Sequence, residues 1–190
     1  MGERLRYSAR MALPAPFPIR QAREADIGVL QLLMNRAIDA LLQPFLSPGQ
    51  VRASFEIMGV DTELIADGTY FVAEEKGTPV ACGGWSRRAT HFGGDHWMDR
   101  DARPLDPKTE AARVRAMYTH PDYARRGIGR AILAHCEGEA AAAGFCRVEL
   151  VATLAGFPFY RACGYKETER FDVRAPSGII VPLVRMGKHL

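Results

Sequence analysis

The 190-residue sequence predicts an α/β (α+β) fold, in which helices cover both faces of a mixed, mostly antiparallel sheet of about seven strands. Two observations predict this fold. Segments with strand and helix patterning follow one another in the order β-αα-βββ-α-β-α-ββ. A strand, a helix and a second strand over residues 113–152 form a right-handed βαβ unit, so these two strands are expected to be parallel.

The first half of the chain is predicted to hold one short strand and two helices. The strand covers 17–22. A helix over 26–42 is predicted by apolar residues at helical spacing, which are Ile27, Leu30, Leu33, Ala37 and Leu41. Ser47 and Pro48 have the residue types of an N-cap and a first-turn position, so a second helix is expected to reach Met58.

The remaining elements follow from the same criteria. Strands are predicted over 69–76, 79–85, 113–119, 147–152, 165–173 and 179–186. Helices are predicted over 126–143, with Gly144 at the C-terminal end, and over 156–162. Between them, residues 86–112 form a long irregular segment, and loops of that length inside a compact domain are often functional.

Length and composition indicate a soluble globular protein with one domain. Hydrophobic residues make up 47% of the chain and charged residues 25%, which is ordinary for such proteins. We interpret residues 1–16 as a flexible N-terminal tail and residues 17–190 as a single domain. The net charge of +3 and the lack of a long basic block argue against a nucleic-acid partner. No apolar run is long enough to cross a bilayer, so a cytoplasmic location without membrane contact is expected.

The cysteine and histidine positions predict no metal site. No two of them have metal-ligand spacing, and the cysteines lie in apolar contexts typical of buried free thiols. The cysteines are Cys82, Cys136, Cys146 and Cys163, and the histidines are His91, His96, His120, His135 and His189.

A glycine pair at 127 and 129 predicts a seat for a phosphate-rich ligand. It lies between the strand over 113–119 and the helix that follows. Glycines at such a turn let the backbone approach a bulky ligand, and the first helical amides point outward without a partner in the helix. Arg125, Arg126 and Arg130 add positive charge to the same turn, which favours a nucleotide-like ligand.

Two other nucleotide-binding motifs fit this segment poorly. A nucleotide P-loop needs a second glycine followed by Lys and then Ser or Thr, and no such string occurs. A dinucleotide fingerprint needs a third glycine, which is missing after Gly127 and Gly129.

Three segments together resemble the GNAT superfamily of acyl-CoA-dependent N-acyltransferases over about residues 17–187. They are 117–123 (Met-Tyr-Thr-His-Pro-Asp-Tyr), 126–133 (Arg-Gly-Ile-Gly-Arg-Ala-Ile-Leu) and 159–165 (Phe-Tyr-Arg-Ala-Cys-Gly-Tyr). The resemblance implies the GNAT fold, in which the two parallel strands splay apart. It also implies transfer of an acetyl group from acetyl-CoA to a primary amine of a small molecule or peptide by direct attack, and a possible homodimer.

The resemblance also implies roles for individual residues. The diphosphate of coenzyme A would bind main-chain amides of residues 125–130, and the pantetheine arm would pair with the strand near 117–119. The Met117 amide would stabilise the oxyanion, and the Tyr160 phenol would protonate the departing thiolate. The implied cofactor-binding residues are Met117, Tyr118, Thr119, Arg125, Arg126, Gly127, Ile128, Gly129 and Arg130.

The sequence departs from the family pattern at two positions, and it does not identify the base. The family usually has Gln or Arg where Ala124 stands and often has Asn near Ala155, so each position lacks one polar side chain. The base that deprotonates the amine is open among His120, Glu110, Glu149, Asp95 and His96.

The acceptor amine is not identified, and its pocket is expected between the first two helices and loop 86–112. Arg87 and Arg88 could hold an anionic acceptor, and Trp85 and Trp97 could line the pocket, although Trp85 is equally expected in the core. A non-catalytic acyl-CoA sensor is the main alternative function. A DNA-binding module is a third, disfavoured because no helix has a basic face.

Overall fold

The computed structural model describes residues 17–190, so the predicted tail over 1–16 lies outside the described residues. Its strands are β1 (Ile19–Gln21), β2 (Tyr70–Glu75), β3 (Thr78–Ser86), β4 (Ala112–Thr119), β5 (Arg147–Thr153), β6 (Lys166–Arg174) and β7 (Ile180–His189). Its α-helices are α1 (Ile27–Leu42), α2 (Pro48–Ser54), α3 (Thr62–Ala66), α4 (Ile128–Ala142) and α5 (Phe157–Ala162). The seven strands form one sheet in the order β1-β2-β3-β4-β5-β7-β6, which confirms the predicted fold class.

The parallel pair β4–β5 joins the two halves of the sheet and then separates. Its register runs over three pairs, from Ala112 opposite Val148 to Val114 opposite Leu150. Beyond Val114, β4 continues to Thr119 and β5 to Thr153 without pairing to each other, whereas the other neighbouring strands in the sheet pair antiparallel. The predicted splay is therefore present, and it opens a gap at one end of the sheet.

A β-bulge on β4 lies beside this gap. The register with β3 shifts between Cys82 and Gly84, and Ala116 on the opposite strand has φ 52°, which is unusual for a residue with a side chain. The buried Tyr70 hydroxyl donates to the Ala116 carbonyl at 2.8 Å. A Cβ built on Gly83 would collide with Met117 Sδ and lie 2.9 Å from Ile132 Cγ2, so the bulge depends on a glycine there.

The sheet buries both of its faces. Successive residues of β2 face opposite sides, so Phe71 packs into the core under α4 while Val72 packs into the core under α1 and α3. The buried face of α4 consists of Ile128, Ile132, Leu133, Cys136 and Ala140. A third cluster continues the α1 side toward α2 and β7, so helices cover both faces as predicted.

The long connection between β3 and β4, residues 87–111, is irregular and is tied to α3 by ion pairs. Arg88 binds both carboxylate oxygens of Asp67 at 2.7 Å. Asp61, which is fully buried at the start of α3, accepts from Arg100 at 2.9 Å and pairs with Arg115 of β4. The loop therefore has a defined position over the α3 side of the sheet.

Several predicted helix boundaries were wrong, although Ser47 caps α2 as predicted. The second helix ends at Ser54 and not at Met58, and α3 was not predicted. Helix α4 begins at Ile128 and not at residue 126, because Gly127 has φ 82° and cannot belong to a right-handed helix. Gly144, with φ 93°, follows the end of α4 as expected.

The prediction that all four cysteines are buried was also wrong. Cys82 and Cys136 are buried, but Cys146 is exposed and Cys163 is partly exposed. Cys146 lies between the end of α4 and the start of β5, where the chain runs along the surface. Within residues 17–190, no helix is both long enough and apolar enough to cross a membrane.

We expect Gly83→Ala to lower the free energy of unfolding by about 1–3 kcal/mol, because its Cβ would overlap Met117 at the bulge. Gly138→Ala is the matched control in α4, where an added Cβ meets nothing within 4 Å. It should raise stability by about 1 kcal/mol, since alanine favours a helix interior over glycine. Urea unfolding of both variants measures this, and an unchanged Gly83→Ala midpoint would contradict the role given to Gly83.

Candidate active site

The turn between β4 and α4 has the backbone of an anion-binding loop. Arg125 has φ 66° and Gly127 has φ 82°, so the chain folds tightly before the helix begins. Ala131 donates to the Gly127 carbonyl at 3.1 Å. The amides of the residues just before Ala131 have no partner inside the helix and lie at the positive end of its dipole.

The three arginines of this turn are exposed, and two of them are partly held. The Arg126 guanidinium lies 4.8 Å from the centre of the Tyr123 ring, and Arg130 Nη2 donates to the Ala162 carbonyl at 3.2 Å. Together with Arg125 they surround the open amides with positive charge. Positive charge and open amides therefore lie together at this turn.

A cleft of about 670 Å³ extends from this turn into the gap between β4 and β5. Its walls come from the turn over 125–130, which we call the phosphate turn after its predicted ligand, and from the ends of both splayed strands, α5 and the apolar face of α1. All of the predicted cofactor-binding residues except Arg126 line it, and these are Met117, Tyr118, Thr119, Arg125, Gly127, Ile128, Gly129 and Arg130. Ala124 and Ala155, where the family pattern has polar residues, line the same cleft.

A second, smaller cavity of about 130 Å³ meets the cleft at Tyr160, which we call the inner cavity. Met117, Tyr118 and Tyr160 line both spaces. The inner cavity adds His91 and Phe92 from the loop over 87–111. A group entering from the loop side would therefore reach the same residues as a group bound in the cleft.

Tyr160 is positioned at this junction by aromatic packing. It lies on α5, is 8% exposed, and contacts the Phe159 and Tyr165 rings at centroid distances of 5.0 and 5.8 Å. Burial, and to a smaller extent the thiols of Cys136 and Cys163, raise the pKa of Tyr160 well above its usual value. The phenol carries its proton at neutral pH, as an ordinary tyrosine does, and its burial makes it a weaker acid than a solvated tyrosine.

The strand residues near the bulge divide between the two faces. Met117 packs with the core under α4, whereas Tyr118 packs with the clusters on the α1 side, where burial raises its pKa. The Thr119 side chain faces the phosphate turn, because a Cβ built on Gly129 would lie 3.5 Å from Thr119 Oγ1.

Two of the carboxylates proposed as bases form ion pairs outside the cleft and the inner cavity. Glu110 binds Arg103 at 2.8 Å. This ion pair, together with a hydrogen bond from the Asp106 amide, lowers the pKa of Glu110 to about 2. Glu149 binds Arg113 at 2.7 Å.

The other three proposed bases do not line these two spaces either. Asp95 accepts from the Thr62 amide at 2.9 Å, next to the start of α3. His120 accepts from the Asp122 amide at 3.3 Å and caps the turn after β4, so it has the turn role that its neighbour Pro121 suggested. His96 is exposed in the loop.

The acceptor-side arginines and tryptophans have mixed outcomes. Arg88 is engaged with Asp67, and the Arg87 guanidinium lies 5.5 Å from the centre of the Trp85 ring. Trp85 is 2% exposed and belongs to the core. Trp97 is partly buried against Phe92 and lines a cavity beneath the loop.

Sequence reasoning did not select His91, which lines the inner cavity together with Tyr160. It is half-buried, and burial, followed by the charges of Arg113 and Arg185, lowers its pKa below the ordinary value. Its imidazole is therefore neutral at neutral pH and can accept a proton. The sequence held no signal for this role, because the fold of the loop alone brings residue 91 to the cavity.

Comparisons with known proteins agree with this geometry. A family model described as an acetyltransferase (GNAT) domain matches residues 66–167, which is more than half of the chain. No curated protein matches the sequence. Within residues 17–190, no group of three or more His, Cys, Asp and Glu side chains is arranged to hold a metal ion.

Solved structures with the same fold include three N-acetyltransferases at low sequence identity. A GCN5-related N-acetyltransferase from Rhodopseudomonas palustris has a TM-score of 0.69 at 20% identity, over 96% of this chain and 100% of that chain. A ribosomal-protein-alanine N-acetyltransferase from Brucella melitensis has a TM-score of 0.62 at 22% identity, over 91% and 99%. The PaiA N-acetyltransferase from Thermoplasma acidophilum, in complex with coenzyme A, has a TM-score of 0.62 at 14% identity, over 92% and 99%.

Proposed function

The chain belongs to the GNAT acetyltransferase family, and from that premise we propose that it moves an acetyl group from acetyl-CoA to a primary amine of a small molecule or peptide. The observation that carries the proposal is the continuity of one cleft. The open amides at 125–130, the bulge at Met117 and the phenol of Tyr160 all border it. We propose a single acetyltransferase domain over 17–190, while a cytoplasmic location and a homodimer stay predictions.

Acetyl-CoA would supply an acetyl group activated as a thioester, and residues of this chain fit its parts. The main-chain amides of 125–130 would donate to the diphosphate, and Arg125, Arg126 and Arg130 would neutralise its charge. The edge of β4 beyond Val114 offers main-chain groups to the amides of the pantetheine arm, in the manner of an added strand.

The chemical groups at the junction fit direct transfer to an amine. The neutral imidazole of His91 would accept a proton from the incoming ammonium, so that the amine can attack. The Met117 amide, at the bulge, would donate to the negative charge that develops on the acetyl oxygen. The protonated Tyr160 phenol would give its proton to the departing sulfur.

An acyl-CoA sensor without turnover is the second candidate function. It would use the same phosphate turn. Coenzyme A binding without thiol release across a panel of amines would distinguish it from the enzyme. The protonated phenol at the junction of the cleft and the inner cavity favours the enzyme, because binding alone does not need a proton donor there.

Gly127→Ala should weaken coenzyme A binding about tenfold, because relieving the strain at φ 82° displaces the amides that bind the diphosphate. Gly178→Ala is the matched control. It has φ 84° and an equally open Cβ position, but lies in the turn between β6 and β7. Each variant should lose about 1–2 kcal/mol of stability. Calorimetry measures the binding, and absence of coenzyme A binding by the native chain would refute the proposed function.

Tyr160→Phe should lower kcat about a hundredfold and leave acetyl-CoA affinity nearly unchanged, since only the proton donor is removed. Tyr165→Phe removes the hydroxyl of the adjacent buried tyrosine, which lines neither the cleft nor the inner cavity, and should keep its kcat. Thiol release under saturating substrates measures both. Full turnover by Tyr160→Phe would show that this hydroxyl is not the acid.

His91→Gln should lower kcat about a hundredfold at neutral pH and remove the acidic limb of its pH profile. In the native chain, kcat should fall as the pH drops through a His91 pKa below the ordinary value of about 6.5, because only the neutral ring accepts a proton. Arg113, Arg115 and Arg185 favour the neutral ring, while Glu149 opposes them.

The matched control for this test is His96→Gln, which changes an exposed histidine of the same loop. Its pH profile should match that of the native chain. An acidic limb that persists unchanged in His91→Gln would assign the base to another group.

A further inference from the structure

A third cavity, of about 500 Å³, lies beneath the loop over 87–111, and we call it the loop cavity. Its walls come from that loop, from Arg113 of β4, from residues 171–174 of β6 and from Arg185 of β7. His91 and Phe92 line both the loop cavity and the inner cavity, which also contains Tyr160. The two cavities therefore adjoin at these two residues.

Three residues of the loop cavity carry buried donors without an acceptor among the described residues. They are Arg113 Nε, Arg185 Nε and Trp97 Nε1. The Arg113 side chain is only 9% exposed. Guanidinium and indole nitrogens donate and do not accept, and a buried donor without a partner is costly. The lining of the loop cavity thus includes two guanidiniums and an indole whose donors are not all used by the described residues.

The carboxylates that pair with the two arginines do not bind these Nε atoms. Arg113 binds Glu149 at 2.7 Å through Nη1, and Arg185 binds Glu169 at 3.1 Å, also through Nη1. The acidic residues of the cavity lining are exposed, so they lie toward solvent, and these are Asp99, Asp101 and Asp172. The charged groups on the buried side of the loop cavity are therefore the guanidiniums of Arg113 and Arg185, each with one carboxylate partner.

The remaining arginines of the lining have other partners, and the loop cavity has aromatic walls, of which Phe92 also lines the inner cavity. Arg103 is exposed and binds Glu110, and Arg174 donates to the Gly178 carbonyl at 2.9 Å. The Phe92 ring lies 5.8 Å from the Trp97 ring and 6.1 Å from the Phe171 ring, between centroids. Such walls suit an apolar spacer between two polar ends.

We propose that the loop cavity is a carboxylate subsite for the acceptor, which is an amine with a carboxylate at its far end. The carboxylate accepts from Arg113 and Arg185, the spacer passes Phe92, and the amine reaches His91 and Tyr160 in the inner cavity. This inference rests on the proposed acetyl transfer for its reaction, but the subsite itself can be tested by binding alone. The subsite names a class of acceptor that the family membership does not.

The kinetic test compares ω-amino acids, from glycine to aminooctanoate, with n-alkylamines of equal carbon number. At the best length, kcat/KM of the native chain should be at least about tenfold higher for the amino acid. Arg113→Gln and Arg185→Gln should each reduce this ratio to near one. Arg185→Gln keeps the test valid if loss of the buried Arg113 prevents folding.

Arg170→Gln is the matched control, because it removes the same charge from an exposed arginine of β6 that pairs with Glu167. It should keep the native ratio. A native ratio near one at every length, or a ratio unchanged in both cavity variants, would overturn the carboxylate subsite while acetyl transfer stands.

A binding test separates this inference from the proposed function. Calorimetry without acetyl-CoA should show tighter binding of the best ω-amino acid than of its alkylamine, and Arg185→Gln should abolish the difference. If no amine is acetylated but this selectivity is present, the subsite stands and the proposed function fails. If the native chain binds the two compounds equally, the subsite is wrong.

Discussion

The bulge on β4 is the constraint on which the rest of the site depends. Ala116 has φ 52°, the Tyr70 hydroxyl donates to its carbonyl, and Gly83 leaves the space that Met117 occupies. The bulge lies just beyond Val114, where the pairing of β4 with β5 ends and the cleft begins. Past the bulge, Met117 and Tyr118 face opposite sides of the sheet, as successive strand residues do. Both residues line the cleft and the inner cavity, so this part of β4 borders both spaces.

The two sides of the junction are built from different interactions. On the side proposed for the cofactor, open main-chain amides and the left-handed backbone at Gly127 border the cleft. On the acceptor side, ion pairs fix the irregular loop to α3, chiefly through Asp61 and Asp67. Ion pairs of this kind are specific to particular side chains and are costly to break when buried, as Asp61 is. The loop can therefore be both irregular in backbone and definite in position.

The sequence was sufficient to predict the order of the strands along the chain, the parallel pair and the tight turn before α4, because hydrophobic spacing and glycines record local conformation. It was insufficient for α3, which has five residues and too short a pattern to detect. The start of α4 was misplaced because the φ of Gly127 is not visible in a helical pattern. The bulge at Ala116 and the position of His91 depend on contacts between residues far apart in sequence, so no local pattern could predict them.

In the proposed function, the turn between β4 and α4 binds coenzyme A mainly through main-chain amides, which every amino acid except proline possesses. Under that proposal, substitutions at its exposed positions preserve these amides, provided that Gly127 keeps its left-handed backbone. The solved acetyltransferases with the same fold share only 14–22% identity with this chain, so one backbone arrangement accommodates very different side chains. Under the proposed function, the residues of the opposite wall can therefore change, and the acceptor with them, while the main-chain seat proposed for coenzyme A stays the same.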